Sequence, residues 1–257
     1  MITAGIDMGA KFIKAVILKD GVLQGKAIVA TGFEPAASAS QCLEQAAKES
    51  GIEISSIDHL TSTGAGRKMA PNINSHVTDI SAAAKGTLYL LKDVRTVIDV
   101  GAEEGRGIRV EADGRVIDSA VNEKCAAGAG AFAEAMSRAL EVSLEEFGQL
   151  SLQSNKTIPM NAQCAVFAES EVVSLVHAKT PKQDIARAVH DAIASRIVSM
   201  VRRVGIREDV ALIGGVSHNP GFVDSLSRGL ETKVIVPENP EYVGALGAAI
   251  YARERSQ

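Results

Sequence analysis

The sequence predicts an α/β protein in which one structural unit is built twice, giving two lobes. Three observations support this: strand-like and helix-like segments alternate, an Asp-x-Gly repeat opens each half, and Gly-rich loops follow strands. The chain has 257 residues, of which 46% are hydrophobic, which suits one large domain or two lobes. We place the first lobe at residues 1–93 plus 240–257 and the second lobe at residues 94–239.

The internal repeat relates residues 5–29 to residues 97–121. Four pairs of residues align: Asp7 with Asp99, Gly9 with Gly101, Ala10 with Ala102, and Lys14 with Arg106. Each copy is expected to form a strand ending in Asp-x-Gly, a second strand, a glycine turn and a third strand, that is, a β-meander. Short hairpins can resemble each other by chance. Here, however, Asp-x-Gly occurs twice, each time after an apolar strand and before another strand, which favours a duplication.

Helical segments are expected after each copy of the repeat. Periodic apolar residues indicate helices at residues 36–50, 76–91, 128–140, 165–178 and 182–204. A last pair of strands is expected at residues 210–213 and 234–237, and a final helix begins near Tyr242. Both halves therefore have a meander first and helices after it.

Asp7 and Asp99 are the candidate catalytic residues, because each ends an apolar strand at a sharp turn. Backbone N–H groups at such a turn can bind phosphate oxygens, and Gly9 or Gly101 allows their close approach. We expect the two carboxylates to face each other across a cleft, hold a hydrated Mg²⁺ and position the attacking water. For one copy alone, a turn aspartate without catalytic function is the alternative.

Further nucleotide-binding candidates lie in the same turns and in Gly-rich segments at residues 63–67, 214–219 and 244–249. Lys14 projects from the second strand and can reach the β- and γ-phosphates as a point charge. Two glycines after a strand let a loop wrap closely around an adenosine, and small residues opening the final helix allow hinge-like packing. The nucleotide-binding candidates are Gly9, Ala10, Lys11, Lys14, Gly64, Gly101, Ala102, Gly214, Gly215, Asn219 and Gly244.

The order of these segments resembles that of the actin/hexokinase/Hsp70 ATPases. The resemblance implies a duplicated, RNase H-like α/β fold in two lobes, with ATP or ADP and Mg²⁺ as ligands. A P-loop fold is disfavoured, because the chain has no G-x-x-x-x-G-K-[ST] segment. A Rossmann fold is disfavoured, because no G-x-G-x-x-G opens a helix after the first strand.

Cys125 and Cys164 each lie just before or at the start of an expected helix. A thiolate near a helix N-terminus is stabilised by the helix dipole, which lowers the pKa of such a thiol. Two such cysteines are half of a four-thiolate set, and a dimer would complete the set around a 4Fe–4S cluster on its axis. The alternative is that cysteines outside a C-x-x-C pattern are buried core residues.

Both cysteine segments resemble the cluster motifs of the BadF/BadG/BcrA/BcrD-type ATPases, the 2-hydroxyacyl-CoA dehydratase activators and benzoyl-CoA reductase ATPase subunits. The most specific stretches are residues 124–128, 164–171 and 244–249. The resemblance implies ATP-dependent electron transfer through a 4Fe–4S cluster that Cys125 and Cys164 share with an identical or homologous subunit. It also implies a ferredoxin-like electron donor and an iron–sulfur acceptor enzyme. Cys42 matches no ligand position and is interpreted as a core thiol.

Two local departures bear on the acceptor. Gly101-Ala102-Glu103-Glu104 stands where activators typically carry Gly-Gly-Gln-Asp, and Ala10-Lys11 stands where they often carry Ser-Thr. The resemblance implies a benzoyl-CoA reductase or a 2-hydroxyacyl-CoA dehydratase type acceptor. Because the Gly-Ala pair and the segment after it are similar to benzoyl-CoA reductase ATPase subunits, we prefer the reductase.

Charge and hydropathy disfavour other partners. A net charge of −4 without a basic patch argues against nucleic acid and an anionic membrane. The absence of a signal-peptide pattern and of an apolar run of about 20 residues predicts a cytoplasmic protein. Two other functions stay open: a sugar or carboxylate kinase of the same fold without a cluster, and a non-catalytic nucleotide-dependent scaffold.

Overall fold

The computed structural model describes residues 1–122, 129–160 and 165–256. The chain divides into two compact units. The first unit comprises Met1–Val94, Val110–Val116 and Pro237–Gln257, and the second comprises Arg95–Arg109 and Ile117–Val236. Across the described ranges, no helix is both long enough and apolar enough to span a bilayer.

The first unit contains a five-stranded sheet in the order β3-β2-β1-β4-β5. The first three strands form an antiparallel meander, and β4 and β5 continue the sheet in parallel with β1. The predicted meander of the first repeat copy is therefore confirmed. The strands are β1 (Ile2–Met8), β2 (Phe12–Lys19), β3 (Val22–Ala30), β4 (His59–Thr63) and β5 (Ser75–His76).

Helices cover both faces of this sheet, which explains why the central strands are buried almost throughout. Helix α1 (Pro35–Ser50) packs against β2 and β3, and helix α8 (Val243–Arg255) packs against β1, β2 and β4. Helix α2 (Asp79–Leu90) lies against α8. This packing is close because of Gly247: a Cβ atom there would lie 1.9 Å from the carbonyl oxygen of Ala82.

The second unit contains a sheet in the order β10-β9-β6-β7-β8. From its other end, this order is again a meander followed by two parallel strands, so the second copy of the repeat has the topology of the first. The strands are β6 (Thr96–Val100), β7 (Gly105–Val110), β8 (Val116–Asn122), β9 (Val210–Ile213) and β10 (Val234–Ile235).

Five helices are present in the described part of the second unit, and their buried faces form its largest hydrophobic core together with strands β6 and β9. They are α3 (Ala129–Ala139), α4 (Leu144–Leu152), α5 (Ala165–His177), α6 (Lys182–Val204) and α7 (Pro220–Leu230). The sequence patterns did not predict α4, which has nine residues and a glycine, Gly148, in its middle.

His190, on helix α6, is fully buried in this core. Its ring stacks on Phe147 with the ring centroids 4.5 Å apart, and its Nδ1 lies 2.7 Å from the carbonyl oxygen of Ala186. Its Nε2 has no hydrogen-bond partner among the described residues. Burial lowers the pKa of His190 to about 4, although the Ala186 carbonyl opposes this effect. The folded protein therefore holds a neutral imidazole in its core.

We expect acid to destabilise the protein through His190. Below its usual pKa of 6.5, the unfolded chain binds a proton that the folded chain does not bind until the pH nears 4. The free energy of unfolding should therefore fall by about 2 kcal/mol between pH 7 and pH 5 from this residue alone. Urea unfolding at both pH values should show a smaller loss for His190→Gln than for the wild type. His177→Gln, at an exposed position, should keep the wild-type loss, and an equal loss in all three proteins would contradict this account.

Candidate functional site

Asp7 is the second-last residue of strand β1, where it lies in one row across three strands. Its register partner on β2 is Lys14, and its register partner on β4 is Thr63. The Nζ atom of Lys14 lies 3.1 Å from Oδ2 of Asp7, and each side chain is only 16% exposed. Lys14 was predicted to contact phosphates, and the structure brings its ammonium group to the predicted catalytic carboxylate.

The second unit repeats this arrangement around Asp99. Its register partner on β7 is Arg106, whose Nη1 atom lies 3.0 Å from Oδ2 of Asp99. The guanidinium group of Arg106 also pairs with Glu104. Arg106 was not among the predicted site residues, although its alignment with Lys14 in the repeat was a signal for it.

The first predicted phosphate loop is the turn between β1 and β2. Ala10 and Lys11 are exposed there, and the carbonyl oxygen of Gly9 accepts a hydrogen bond of 2.8 Å from Oγ1 of Thr31. A Cβ atom at Gly9 would lie 2.6 Å from the carbonyl oxygen of Phe12, so this tight turn requires glycine. The turn therefore places exposed residues just after the carboxylate of β1.

The second predicted phosphate loop is bonded to helix α3. The N–H group of Gly101 donates to the carbonyl oxygen of Glu104 at 2.9 Å, which closes the turn. The carbonyl oxygens of Gly101 and Ala102 accept hydrogen bonds from the N–H groups of Gly130 and Ala131, at 3.2 and 3.1 Å. Two backbone hydrogen bonds thus join this loop to the first turn of α3.

Gly64 follows β4 directly and lies against Asp7. It has a φ angle of +91°, and a Cβ atom there would lie 2.5 Å from Oδ1 of Asp7. Its N–H group donates to Oδ1 of Asp79 at 2.9 Å, and Nη1 of Arg67 donates to its carbonyl oxygen at 3.2 Å. Asp79 and Arg67 hold the glycine in place, and neither was predicted as a site residue. The sequence offered a signal for Arg67, which belongs to the Gly-rich segment at residues 63–67. For Asp79 the only signal was its place directly after a helix N-cap residue, Thr78.

Gly214 and Gly215 follow β9. Their surroundings require a glycine at position 214 but not at position 215. Gly214 has a φ angle of +89°, and a Cβ atom there would lie 2.4 Å from the carbonyl oxygen of Val100 and 2.8 Å from Oδ1 of Asp99. A Cβ atom at Gly215 would have no neighbour within 4 Å among the described residues. Asn219 accepts a 3.2 Å hydrogen bond from the N–H group of Phe222 and thereby caps helix α7.

Gly244 lies in the first turn of helix α8, and a Cβ atom there would lie 3.6 Å from Oδ2 of Asp7. The structure therefore groups the predicted site residues by unit. The first unit brings Lys14, Gly64 and Gly244 to Asp7, with Gly9 beside the ammonium group of Lys14. The second unit brings Gly214 to Asp99, together with Arg106, which was not predicted.

Cys125 and Cys164 lie outside the described residues. Cys42 is fully buried in the core of the first unit, where its Sγ atom lies 3.4 and 3.3 Å from the carbonyl oxygens of Ile13 and Ala27. Burial raises the pKa of its thiol to about 12. The interpretation of Cys42 as a core thiol is confirmed.

Proteins similar to this chain include dehydratase activators over their full length. The activator of lactoyl-CoA dehydratase from Anaerotignum propionicum is 40% identical over 100% of this chain and 99% of its own length. The (R)-2-hydroxyglutaryl-CoA dehydratase activating ATPase from Acidaminococcus fermentans is 37% identical over 99% of this chain and 98% of its own length. One of the subunits of the benzoyl-CoA reductase from Thauera aromatica is 31% identical over 100% of this chain and 94% of its own length.

These identities do not favour the predicted preference for a benzoyl-CoA reductase. That preference rested on Ala10-Lys11 and on residues 101–104, whereas the percentage identities are calculated over almost the whole chain. Short segments in turns vary among relatives more readily than the core does.

Solved structures support the predicted fold. The activator of the 2-hydroxyisocaproyl-CoA dehydratase from Clostridium difficile, solved with bound ADPNP, has a TM-score of 0.93 and 33% identity, and the match covers 100% of this chain and 96% of that one. An ROK family glucokinase from Streptomyces griseus has a TM-score of 0.60 at 16% identity, covering 99% of this chain and 100% of that one. The second similarity shows the fold alone, and the predicted duplicated α/β fold is confirmed.

A family model described as the BadF/BadG/BcrA/BcrD ATPase family matches residues 4–252 of this chain. The match spans both units and both copies of the repeat, and it agrees with the resemblance noted for the cysteine and glycine segments. The chain belongs to the BadF/BadG/BcrA/BcrD ATPase family.

Proposed function

We propose that this protein hydrolyses Mg-ATP and couples hydrolysis to electron transfer toward an enzyme of the 2-hydroxyacyl-CoA dehydratase type. The observation that carries the proposal is full-length similarity to dehydratase activators at 33–40% identity. Electrons would come from a ferredoxin-like donor and pass through a 4Fe–4S cluster shared with an identical or homologous subunit. The protein would act in the cytoplasm.

The surroundings of Asp7 and Asp99 support nucleotide chemistry. Each carboxylate is the second-last residue of a strand, beside a Gly turn and a cationic side chain, and Gly64 and Gly214 bring backbone against the carboxylates. A hydrated Mg²⁺ neutralises charge that develops on transferred phosphate oxygens. The residues fit such an ion, because beside Asp7 a buried hydroxyl group, that of Thr63, has no partner within the described part of the chain.

Each of these residues has a proposed task. Asp7 and Asp99 would orient the hydrated metal and the attacking water. Lys14 would leave Asp7 for the phosphates or fix the orientation of that carboxylate. The exposed backbone of Ala10 and Lys11 would bind phosphate oxygens, while Gly215 and Asn219 would follow the adenosine. The other candidates, Gly9, Gly64, Gly101, Ala102, Gly214 and Gly244, would allow close backbone approach.

Cys125 and Cys164 would hold the cluster. Helices α3 and α5, which follow the two cysteine segments, pack against each other in the second unit. The hydrogen bonds from α3 to Gly101 and Ala102 connect the predicted phosphate loop with the helix that follows Cys125. A change in the loop on hydrolysis would therefore reach a cysteine-bearing segment directly. A 4Fe–4S cluster accepts and donates single electrons.

A small-molecule kinase and a non-catalytic scaffold are less well supported. The similarity to glucokinase lies at 16% identity and indicates the fold alone. Broad visible absorbance after anaerobic purification would favour the electron-transfer function over both alternatives.

Gly215→Val should weaken ATP binding without unfolding the protein. The position has open space for the valine side chain in the absence of nucleotide, but the side chain would occupy the volume assigned to the adenosine. Titration calorimetry with ADP should show a loss of about tenfold or more, at an unchanged melting temperature. Gly214→Val is the matched comparison: it should lower the melting temperature, because that residue has a φ angle of +89°. Unchanged ADP affinity in Gly215→Val would mean that the adenosine lies elsewhere.

Asp99→Asn should lower kcat for ATP hydrolysis by about 10² or more while nucleotide still binds, because positioning and charge carry most phosphoryl-transfer catalysis. The substitution keeps the shape of the side chain beside Arg106. Phosphate release under steady-state conditions measures the effect. Asp93→Asn, at an exposed position before β6, should retain wild-type turnover. Near-normal turnover in the Asp99 variant would remove that carboxylate from the mechanism.

Cys125→Ser and Cys164→Ser should each lose most of the iron and weaken subunit association. Two ligands per chain cannot fill the four sites of a cubane, so cluster and dimer should be lost together. Cys42→Ser is the matched control and should keep the iron. A buried serine there can donate to the carbonyl oxygens that lie near the thiol. Iron and sulfide per dimer, with native mass under anaerobic conditions, measure the effect. Full iron in either ligand variant, or a cluster on an isolated chain, would refute the bridging arrangement.

A further inference from the structure

Thr63 is the last residue of β4 and carries a buried hydroxyl group that the fold does not use. The residue is 1% exposed, and Oγ1 has no hydrogen-bond partner among the described residues. Two neighbouring threonines of the same sheet do find partners. Oγ1 of Thr3 donates to the carbonyl oxygen of Ala249 at 3.2 Å, and Oγ1 of Thr61 lies 2.8 Å from Oγ of Ser75. Burying a hydroxyl group without a partner costs free energy, so Thr63 calls for an explanation.

Thr63 lies beside Asp7, the carboxylate for which we propose binding of hydrated Mg²⁺. Thr63 and Asp7 are register partners on parallel strands, so their side chains lie on the same face of the sheet, side by side. Both residues lie at the carboxyl ends of their strands, Thr63 as the last residue and Asp7 as the second-last, and ligands bind at the carboxyl ends of parallel strands. The next residue, Gly64, lies against Oδ1 of Asp7, and Gly244 at the start of α8 lies near Oδ2. The hydroxyl group is therefore part of the surroundings of Asp7.

The two halves of the duplicated fold differ at this position. In the second unit, the row that contains Arg106 and Asp99 continues on β9 with Ile213. Ile213 is 1% exposed, so an apolar side chain fills the place that the hydroxyl group of Thr63 occupies in the first unit. Strand packing alone is therefore satisfied by an apolar β-branched residue, and the hydroxyl group of the first unit needs a reason other than packing.

We infer that Thr63 accepts a hydrogen bond from a water molecule of the hydrated Mg²⁺ beside Asp7. Bound Mg²⁺ keeps several waters, whose protons need acceptors, and a hydroxyl group offers two lone pairs. Lys14 already pairs with Asp7 and can only donate hydrogen bonds. Thr63 is thus a positioning residue for the metal, acting in the first unit alone. The inference rests on the proposed ATPase function and adds to it a residue and an asymmetry between the two halves.

The test is ADP binding with and without Mg²⁺, measured by titration calorimetry on the anaerobically purified protein. Thr63→Val keeps the shape of the side chain and removes the hydroxyl group. It should weaken Mg-ADP binding about tenfold, the effect of one hydrogen bond, and change ADP binding in EDTA less than about twofold. Thr63→Ser, which restores the hydroxyl group, should bind Mg-ADP within about twofold of the wild type.

Thr87→Val is the matched control. Thr87, on helix α2 of the same unit, is also fully buried, and its Oγ1 likewise has no partner in the described ranges. Both valine variants should keep or raise the melting temperature of the nucleotide-free protein, but Thr87→Val should bind Mg-ADP like the wild type. Equal affinity of Thr63→Val and wild type for Mg-ADP, or equal losses with and without Mg²⁺, would overturn this inference alone. A wild-type protein that binds no Mg-ADP would overturn the proposed function as well.

Discussion

A carboxylate paired with a cation at the end of the central strand is the constraint on which each half of this protein depends. Asp7 with Lys14 and Asp99 with Arg106 are register partners on antiparallel strands, and all four side chains are largely buried. A carboxylate with so little access to water must be paired, because its desolvation is otherwise too costly. The pairing in turn fixes the register of the first hairpin in each half, since a slip of one residue would separate the charges.

A glycine in the left-handed region accompanies each of these carboxylates. Gly64 follows β4 and Gly214 follows β9, the equivalent strands of the two sheets, with φ angles of +91° and +89°. A Cβ atom at either position would lie within 3 Å of Oδ1 of the neighbouring aspartate. The duplication thus repeats a geometric unit of carboxylate, cation and glycine backbone. Because the cation and the glycine come from different strands, three adjacent strands of each sheet must pair before the carboxylate is correctly surrounded.

Local patterns in the sequence predicted the parts of this arrangement that lie close together along the chain. The Asp-x-Gly repeat predicted both meanders and both carboxylates, since a hairpin is encoded within about 25 residues. Thr63 escaped prediction, because its significance arises from the pairing of β4 with β1 across more than 50 residues of chain. Asp79 escaped because its significance arises from a hydrogen bond to the backbone of Gly64, which only the folded chain brings near. Helix α4 escaped because a short helix with a central glycine has weak periodicity. The preference for a benzoyl-CoA reductase, which the full-length identities do not favour, rested on a few residues in turns.

The two halves share their topology but use it differently. In the second unit, the carbonyl oxygens of Gly101 and Ala102 accept hydrogen bonds from α3, so their loop is bonded to a helix that continues toward the core of that unit. In the first unit, the corresponding Gly9 and Ala10 lie in a turn with an exposed alanine, and a hydroxyl group stands where the second unit has isoleucine. A duplicated frame therefore places equivalent carboxylates with different neighbours. The row of side chains continues from Asp7 with the hydroxyl group of Thr63, and from Asp99 with the apolar Ile213, next to a loop that is bonded to a helix.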